Sequence, residues 1–172
     1  MRRCVFLDRD GVINFKPARG EYIRTWGDFR LIPSVVDWIR LFNALELPVI
    51  VITNQRGVAL GQVDPAELAR IHDNMKQTLL GLGARIDDIF CCVHEEHTCN
   101  CRKPRPGMVM EAARKWDIDL TRSLLIGDSS RDEQLAIGCG MPFIAVHEGM
   151  VIGHFPVQGY QAAAKSPILH TE

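Results

Sequence analysis

Cys4-Val5-Phe6-Leu7-Asp8-Arg9-Asp10-Gly11 is the stretch that decides the fold: a short apolar run that breaks into two acids and a glycine. An apolar segment of this length bounded by turn residues reads as a buried strand entering a turn. Similar runs follow at Val49 to Ile52, Ile86 to Val93, Ser123 to Ile126 and Phe143 to Val146. Between them lie helical patterns. Val35, Val36, Ile39, Leu41, Phe42 and Leu45 follow Pro33, Ala66 to Leu82 follows the start signal Asp64-Pro65, and two more cover Pro106 to about Trp116 and Arg131 to Gly138. Strands alternating with helices over short connections predict a doubly wound α/β domain with a parallel sheet, spanning residues 1–150. After Glu148 the periodicity fades among Gly, Pro and Gln, so 151–172 is expected to be an irregular C-terminal tail.

The chain has 172 residues, 47% of them hydrophobic, and 20 Lys+Arg against 21 Asp+Glu for a formal charge of -1. That is the composition of one ordinary globular domain with a real core. No net positive charge is left to neutralise phosphates or anionic lipid, so neither nucleic acid nor membrane is expected as a partner. The apolar runs fall far short of the roughly 20 residues that span a bilayer. The run behind Arg2 and Arg3 stops at Asp8, which leaves no secretory signal. A cytoplasmic monomer is expected.

Ligands of a doubly wound sheet bind beyond the carboxyl ends of its strands, and the unusual polar residues fall there. Asp8 and Asp10 follow the first strand, Thr53 and Asn54 the second, a Cys/His cluster and Lys103 the third, and Asp128 the fourth. Unit charges about 4 Å apart repel by roughly 4 kcal/mol at an effective dielectric near 20, so converging carboxylates need a cation. Mg²⁺ suits such oxygen ligands and usually shares them with a substrate phosphate. Lys103, Thr53, Asn54 and the N–H groups near Gly11 are donors suited to phosphoryl oxygens. Asp8 and Asp10, two apart on extended chain, point to one side. One carboxylate can attack phosphorus and form an aspartyl-phosphate while the other moves protons. Taken alone, Asp8 to Gly11 reads more simply as a polar turn.

Cys92, His94, Cys99 and Cys101 offer three sulfurs and an imidazole, a closed tetrahedral set for structural Zn²⁺ in a loop over 92–101, with His97 as a rival ligand to His94. Cys4, Cys91 and Cys139 sit beside apolar segments as small core residues. Lys16 and Arg19 read as a solvated loop, or as contacts to a sugar phosphate. His72 has no partner nearby in sequence, which points to a surface or capping role.

It is the joint pattern that discriminates. Cys4 to Asn14, Val51 to Gly61, Cys101 to Met108 and Leu125 to Ala136, in this order, resemble the four motifs of the haloacid dehalogenase (HAD) superfamily of phosphatases. They are most similar to its small capless branch of heptose-bisphosphate and histidinol phosphatases. The resemblance runs from about Arg3 to Val146 and implies an Mg²⁺-dependent phosphomonoesterase with a zinc loop and no cap domain. It implies Asp8 as nucleophile and Asp10 as general acid/base. Asp8, the Asp10 backbone carbonyl and Asp128 would hold Mg²⁺. Thr53, Asn54 and Lys103 would bind the transferring phosphoryl group, and Arg102 would reach the substrate. Asp132 would orient Lys103 or metal-bound water, or else is a first-turn helix acid favoured by the dipole. The substrate it implies is a small sugar phosphate or other phosphomonoester. Gly20 to Ile23 and Arg105 to Met108 look closer to the heptose enzymes than to the histidinol ones. Ser129 stands where these relatives often carry Lys or Arg, so one cationic substrate contact is expected to be missing. A non-catalytic phosphate-binding or scaffold protein is the rival class, and the presence of both Asp8 and Asp10 speaks against it.

Overall fold

The computed structural model describes residues 1–155. In chain order its elements are β1 (Val5–Leu7), α1 (Ser34–Ala44), β2 (Val49–Asn54), α2 (Pro65–Gly81) and β3 (Asp88–Cys92), then α3 (Gly107–Trp116), β4 (Leu124–Gly127), α4 (Ser130–Gly138), β5 (Phe143–His147) and β6 (Met150–Phe155). The sheet order is β3-β2-β1-β4-β5-β6. The first five strands are parallel. Central β1 pairs with both β2 and β4, Phe6 lying opposite Ile50 on one side and Leu125 on the other. The strand order reverses at β1, and such a switch point opens a crevice at the carboxyl edge.

Side chains alternate across the sheet and feed two cores. Val5, Leu7, Val49 and Val51 pack with Val35 and Ile39 of α1 and Ile71, Met75 and Leu79 of α2. Phe6, Ile50, Ile52 and Leu125 face the other way, onto Met108, Val109 and Ala112 of α3 and Leu135 and Ala136 of α4. Burying each such side chain contributes about 1.5–3 kcal/mol, so the strands that carry the polar residues rest on a rigid double layer. In α2, Leu68, Ile71, Met75 and Leu79 form one buried stripe, and the Asp64 carboxylate caps the helix by accepting from the N–H groups of Ala66 and Glu67.

The doubly wound parallel sheet carries one antiparallel strand at its edge. Residues 151–155 lie in β6, antiparallel to β5. Residues 156–172 of the expected tail lie outside the described residues. The cause is a two-residue turn in which Glu148 and Gly149 both have positive φ, 46° and 82°, the twist that returns a strand on its neighbour. A Cβ on Gly149 would sit 2.4 Å from Ser34 Oγ, so only glycine fits. Among the described residues no helix is long and apolar enough to cross a membrane.

Candidate active site

The ends of β1, β2 and β4 and the loop after β3 meet at the crevice beside β1. Carboxylate oxygens of Asp8, Asp128 and Asp132 lie within 4.8 Å of one another. Lys103 is buried among them, its Nζ 2.8 Å from Asp8 Oδ1 and 2.6 Å from Asp132 Oδ1 and donating to the Ile52 carbonyl at 3.1 Å. Against the penalty of burial, Asp8 and Asp132 raise the Lys103 pKa above its ordinary value, so it stays charged. Burial pushes the Asp8 carboxyl up to about 7, with Asp132 and Asp128 adding to the effect and Lys103 opposing it. Burial also raises Asp128, against the pull of Lys16, whose Nζ lies 2.6 Å from Asp128 Oδ2. Asp128 Oδ1 is buried without a hydrogen-bond partner among the described residues. Three acids, an orphaned oxygen and carboxyl groups driven toward protonation are what a hard divalent cation relieves, so the set fits Mg²⁺.

Gly11 lets the chain leave this cluster. Its φ is +93°, and a Cβ there would fall 2.2 Å from Asp128 Oδ2, so the first turn and the fourth-strand acid approach closely only because residue 11 is glycine.

The Asp10 carboxylate lies outside that cluster. Its Oδ1 accepts from Arg9 Nε at 3.0 Å, Arg9 Nη2 at 2.8 Å and Asn14 Nδ2 at 3.0 Å, and its Oδ2 accepts from Gln55 Nε2 at 2.8 Å. Burial works against the charge on Asp10, but the Arg9 guanidinium and the donors of Asn14 and Gln55 win and hold it below the usual carboxylate range. Arg9 itself is fully buried, and its Nη1 lies 3.2 Å from His72 Nε2. His72 is thus no surface or capping residue: burial and the Arg9 charge lower its pKa to about 4, leaving a neutral ring that accepts from Arg9. Arg9, Asn14, Gln55 and His72 are the functional surroundings that sequence reasoning missed. Arg9 and Asn14 lie inside the first motif and Gln55 follows Thr53 by two residues, whereas His72 left no local signal.

Thr53 is buried, with Oγ1 accepting from Gln55 Nε2 at 2.8 Å. Asn54 clasps the Lys103 peptide from both sides, its Oδ1 accepting from Lys103 N at 3.0 Å and its Nδ2 donating to Lys103 O at 3.2 Å. Its side chain thereby holds the lysine, and Asn54 also lines the cleft described below. Asp132 combines the two roles open to it. Its Oδ1 meets Lys103, while its Oδ2 accepts from Ser129 N at 3.2 Å and Ser129 Oγ at 2.5 Å, a reciprocal cap that starts α4. Ser129 is thereby engaged in the cap.

A cleft of about 580 Å³ opens over Asp8, Asp10 and Lys103, lined also by Lys16, Arg19, Tyr22, Arg56, Arg102 and Arg131. Lys16 and Arg19 thus border the site rather than bulk solvent alone.

Beside the cleft, ligand atoms of Cys92, His94, Cys99 and Cys101 lie within 4.8 Å of one another, and His97 is not among them. Cys92 Sγ is 3.5 Å from Cys99 Sγ and 3.7 Å from His94 Nδ1, which lies 3.2 Å from Cys101 Sγ. A zinc tetrahedron with bonds near 2.3 Å has edges of about 3.8 Å, so the four donors fit Zn²⁺ with little movement. Chelation of zinc is expected to lower the melting temperature and to open half-buried Cys99 and Cys101 to thiol reagents, while Cys4, 1% exposed, stays protected. Metal analysis with thiol titration checks this, and unchanged thiol reactivity after chelation would count against a zinc site.

A family profile described as HAD-hydrolase-like matches residues 100–153. A D-glycero-beta-D-manno-heptose-1,7-bisphosphate 7-phosphatase of Rhodopseudomonas palustris is 42% identical over 149 residues, covering 82% of this chain and 81% of its own. A D-glycero-alpha-D-manno-heptose-1,7-bisphosphate 7-phosphatase of Mycobacterium bovis is 37% identical, over 77% of this chain and 70% of its own. The crystal structure of the D,D-heptose 1,7-bisphosphate phosphatase of Bordetella bronchiseptica, complexed with magnesium and phosphate, superposes with a TM-score of 0.79 at 34% identity, covering 86% of this chain and 83% of that one.

Proposed function

The chain belongs to the HAD-like hydrolase family, and from that membership we propose that it removes the 7-phosphate of a D-glycero-D-manno-heptose 1,7-bisphosphate. The observation that carries the reading is the convergence of Asp8, Asp128 and Asp132 around Lys103 at the floor of a cationic cleft. The relatives just described carry the heptose name, which favours a heptose bisphosphate over histidinol phosphate and over a non-catalytic binding role. Residues 1–150 are the catalytic unit, and the protein works as a cytoplasmic monomer on this small sugar phosphate without nucleic-acid or membrane partners.

Asp8 is the nucleophile. One of its oxygens attacks phosphorus, the bond from phosphorus to the sugar oxygen breaks, and an aspartyl-phosphate forms. Asp10 gives its proton to the departing oxygen, then takes one from the water that attacks phosphorus and frees Asp8. Ionised among Arg9, Asn14 and Gln55, Asp10 suits the second half; a phosphate dianion alongside raises its affinity for the proton needed in the first. Lys103 and Thr53 hold phosphoryl oxygens, while Asn54 and Asp132 keep Lys103 in place. Mg²⁺, held by Asp8, the Asp10 carbonyl and Asp128, would neutralise charge on the phosphoryl oxygens. The zinc loop over 92–101 supports Arg102 and Lys103.

Mg²⁺-dependent phosphate release from heptose 1,7-bisphosphate, histidinol phosphate and a panel of other phosphomonoesters tests this. The heptose compound should be preferred by at least about tenfold in kcat/KM, and a preference for histidinol phosphate would overturn the substrate assignment. Asp10→Asn should slow both leaving-group protonation and dephosphorylation, cutting kcat by roughly 10²–10⁴. Rapid-quench measurement of both phases checks it, and a defect in one phase alone would divide the proton transfers between two groups.

A further inference from the structure

Glu95 and Glu96 stand inside the zinc loop, between His94 and Cys99, and reach toward the cleft rather than the zinc ligands. Glu95 Oε1 pairs with Arg56 Nε at 2.5 Å. Glu96 Oε1 is shared by Arg102 Nη2 at 3.2 Å and Arg131 Nη2 at 3.1 Å. One carboxylate between two guanidiniums cancels one of two positive charges and leaves the pair cationic toward the cleft that both line. Arg102 is only 9% exposed, yet its Nη1 has no hydrogen-bond partner among the described residues. A buried guanidinium N–H without an acceptor at the wall of a cleft is a donor waiting for an anion. Arg131 adds a second fork from the first turn of α4, where the helix dipole also favours negative charge. Ser129, two residues earlier, is engaged in capping that helix, so the cation on this wall comes from position 131.

We propose that Arg131 determines specificity: together with Arg102, and positioned by Glu96, it forms an anion subsite for the phosphate of the substrate that is not cleaved. This deepens the phosphatase reading and rests on it. The subsite selects doubly phosphorylated over singly phosphorylated compounds, because only the former reach Asp8 and the arginine pair together. Glu96 is a positioning residue. It holds two long side chains in one orientation, and without its charge the half-exposed Arg131 turns to solvent.

Steady-state kinetics of wild type, Arg131→Ala, Arg131→Lys and Glu96→Gln with Mg²⁺, on heptose 1,7-bisphosphate and p-nitrophenyl phosphate, test this beside zinc content and melting temperature. Arg131→Ala should raise KM for the bisphosphate about tenfold while kcat changes little, lowering the bisphosphate to monoester ratio of kcat/KM by about the same factor. Arg131→Lys should restore part of the loss, because the charge returns without the planar fork. Glu96→Gln should move KM in the same direction with zinc content unchanged. An unchanged ratio, an equal loss on both compounds, or a lower KM in Glu96→Gln would overturn the proposal. Calorimetric titration of heptose bisphosphate into Asp8→Asn, with and without Arg131→Ala, reads the subsite independently of turnover. About tenfold weaker binding is expected in the double variant, and equal binding would overturn the subsite. Absence of turnover in the wild type would instead sink the phosphatase reading.

Discussion

Asp8→Asn is expected to release no measurable phosphate from any substrate, a loss of at least about 10⁴-fold. The amide has the size of the carboxyl but cannot form the phosphorus–oxygen bond of the intermediate. The change should leave the fold intact. The native carboxyl already has its pKa pushed up to about 7 by burial, so the metal-free protein gives up little in exchanging it for a neutral group. Lys103 retains Asp132 at 2.6 Å as counter-charge. Phosphate release measured beside melting temperature separates the effects. Activity above a few per cent of wild type in a folded Asp8→Asn protein would place the nucleophile elsewhere.

Lys103→Met should damage both stability and catalysis. Lys103 Nζ is the cation between Asp8 and Asp132, and all three side chains are nearly or wholly out of solvent. Removing one partner of a buried ionic set leaves charge without compensation, typically at about 3–5 kcal/mol. The lower end is expected here because Asp8 can take up a proton, which limits the repulsion. About 3 kcal/mol corresponds to a fall in melting temperature of roughly 10 °C for a chain of this length. Turnover should fall as well, since a phosphoryl oxygen loses its buried cation. Added Mg²⁺ should recover part of the stability by supplying charge to the same carboxylates. A Lys103→Met protein as stable as wild type without metal would mean that the Lys103 contacts contribute nothing to stability.

Much of the site was legible because its residues sit at strand ends within short motifs. Asp8 and Asp10 close the run that becomes β1, Thr53 and Asn54 close β2, and Asp128 follows β4. What no local pattern shows are contacts with neighbours remote in sequence. The Asn54 side chain clasps the backbone of Lys103, 49 residues on. Ser129 and Arg131 share one cleft wall, and Arg131 meets Glu96, 35 residues back. His72 gave no local hint of its contact with Arg9, 63 residues away.

The sequence by itself determined the alternation of strands and helices, the order of the four motifs, and the chemistry of the carboxylate, lysine and Cys/His groups. Those depend on the period of apolar residues and on donor types a few positions apart, which the chain displays locally. Only the tertiary structure decided that Asp132 both caps α4 and holds Lys103, that Lys16 meets Asp128 across 112 residues, that Glu96 joins two arginines, and that 151–155 adds an antiparallel strand. Each of these contacts forms when the sheet closes and distant strand ends meet at one edge, and that meeting is set by packing of the whole core, which no local pattern records.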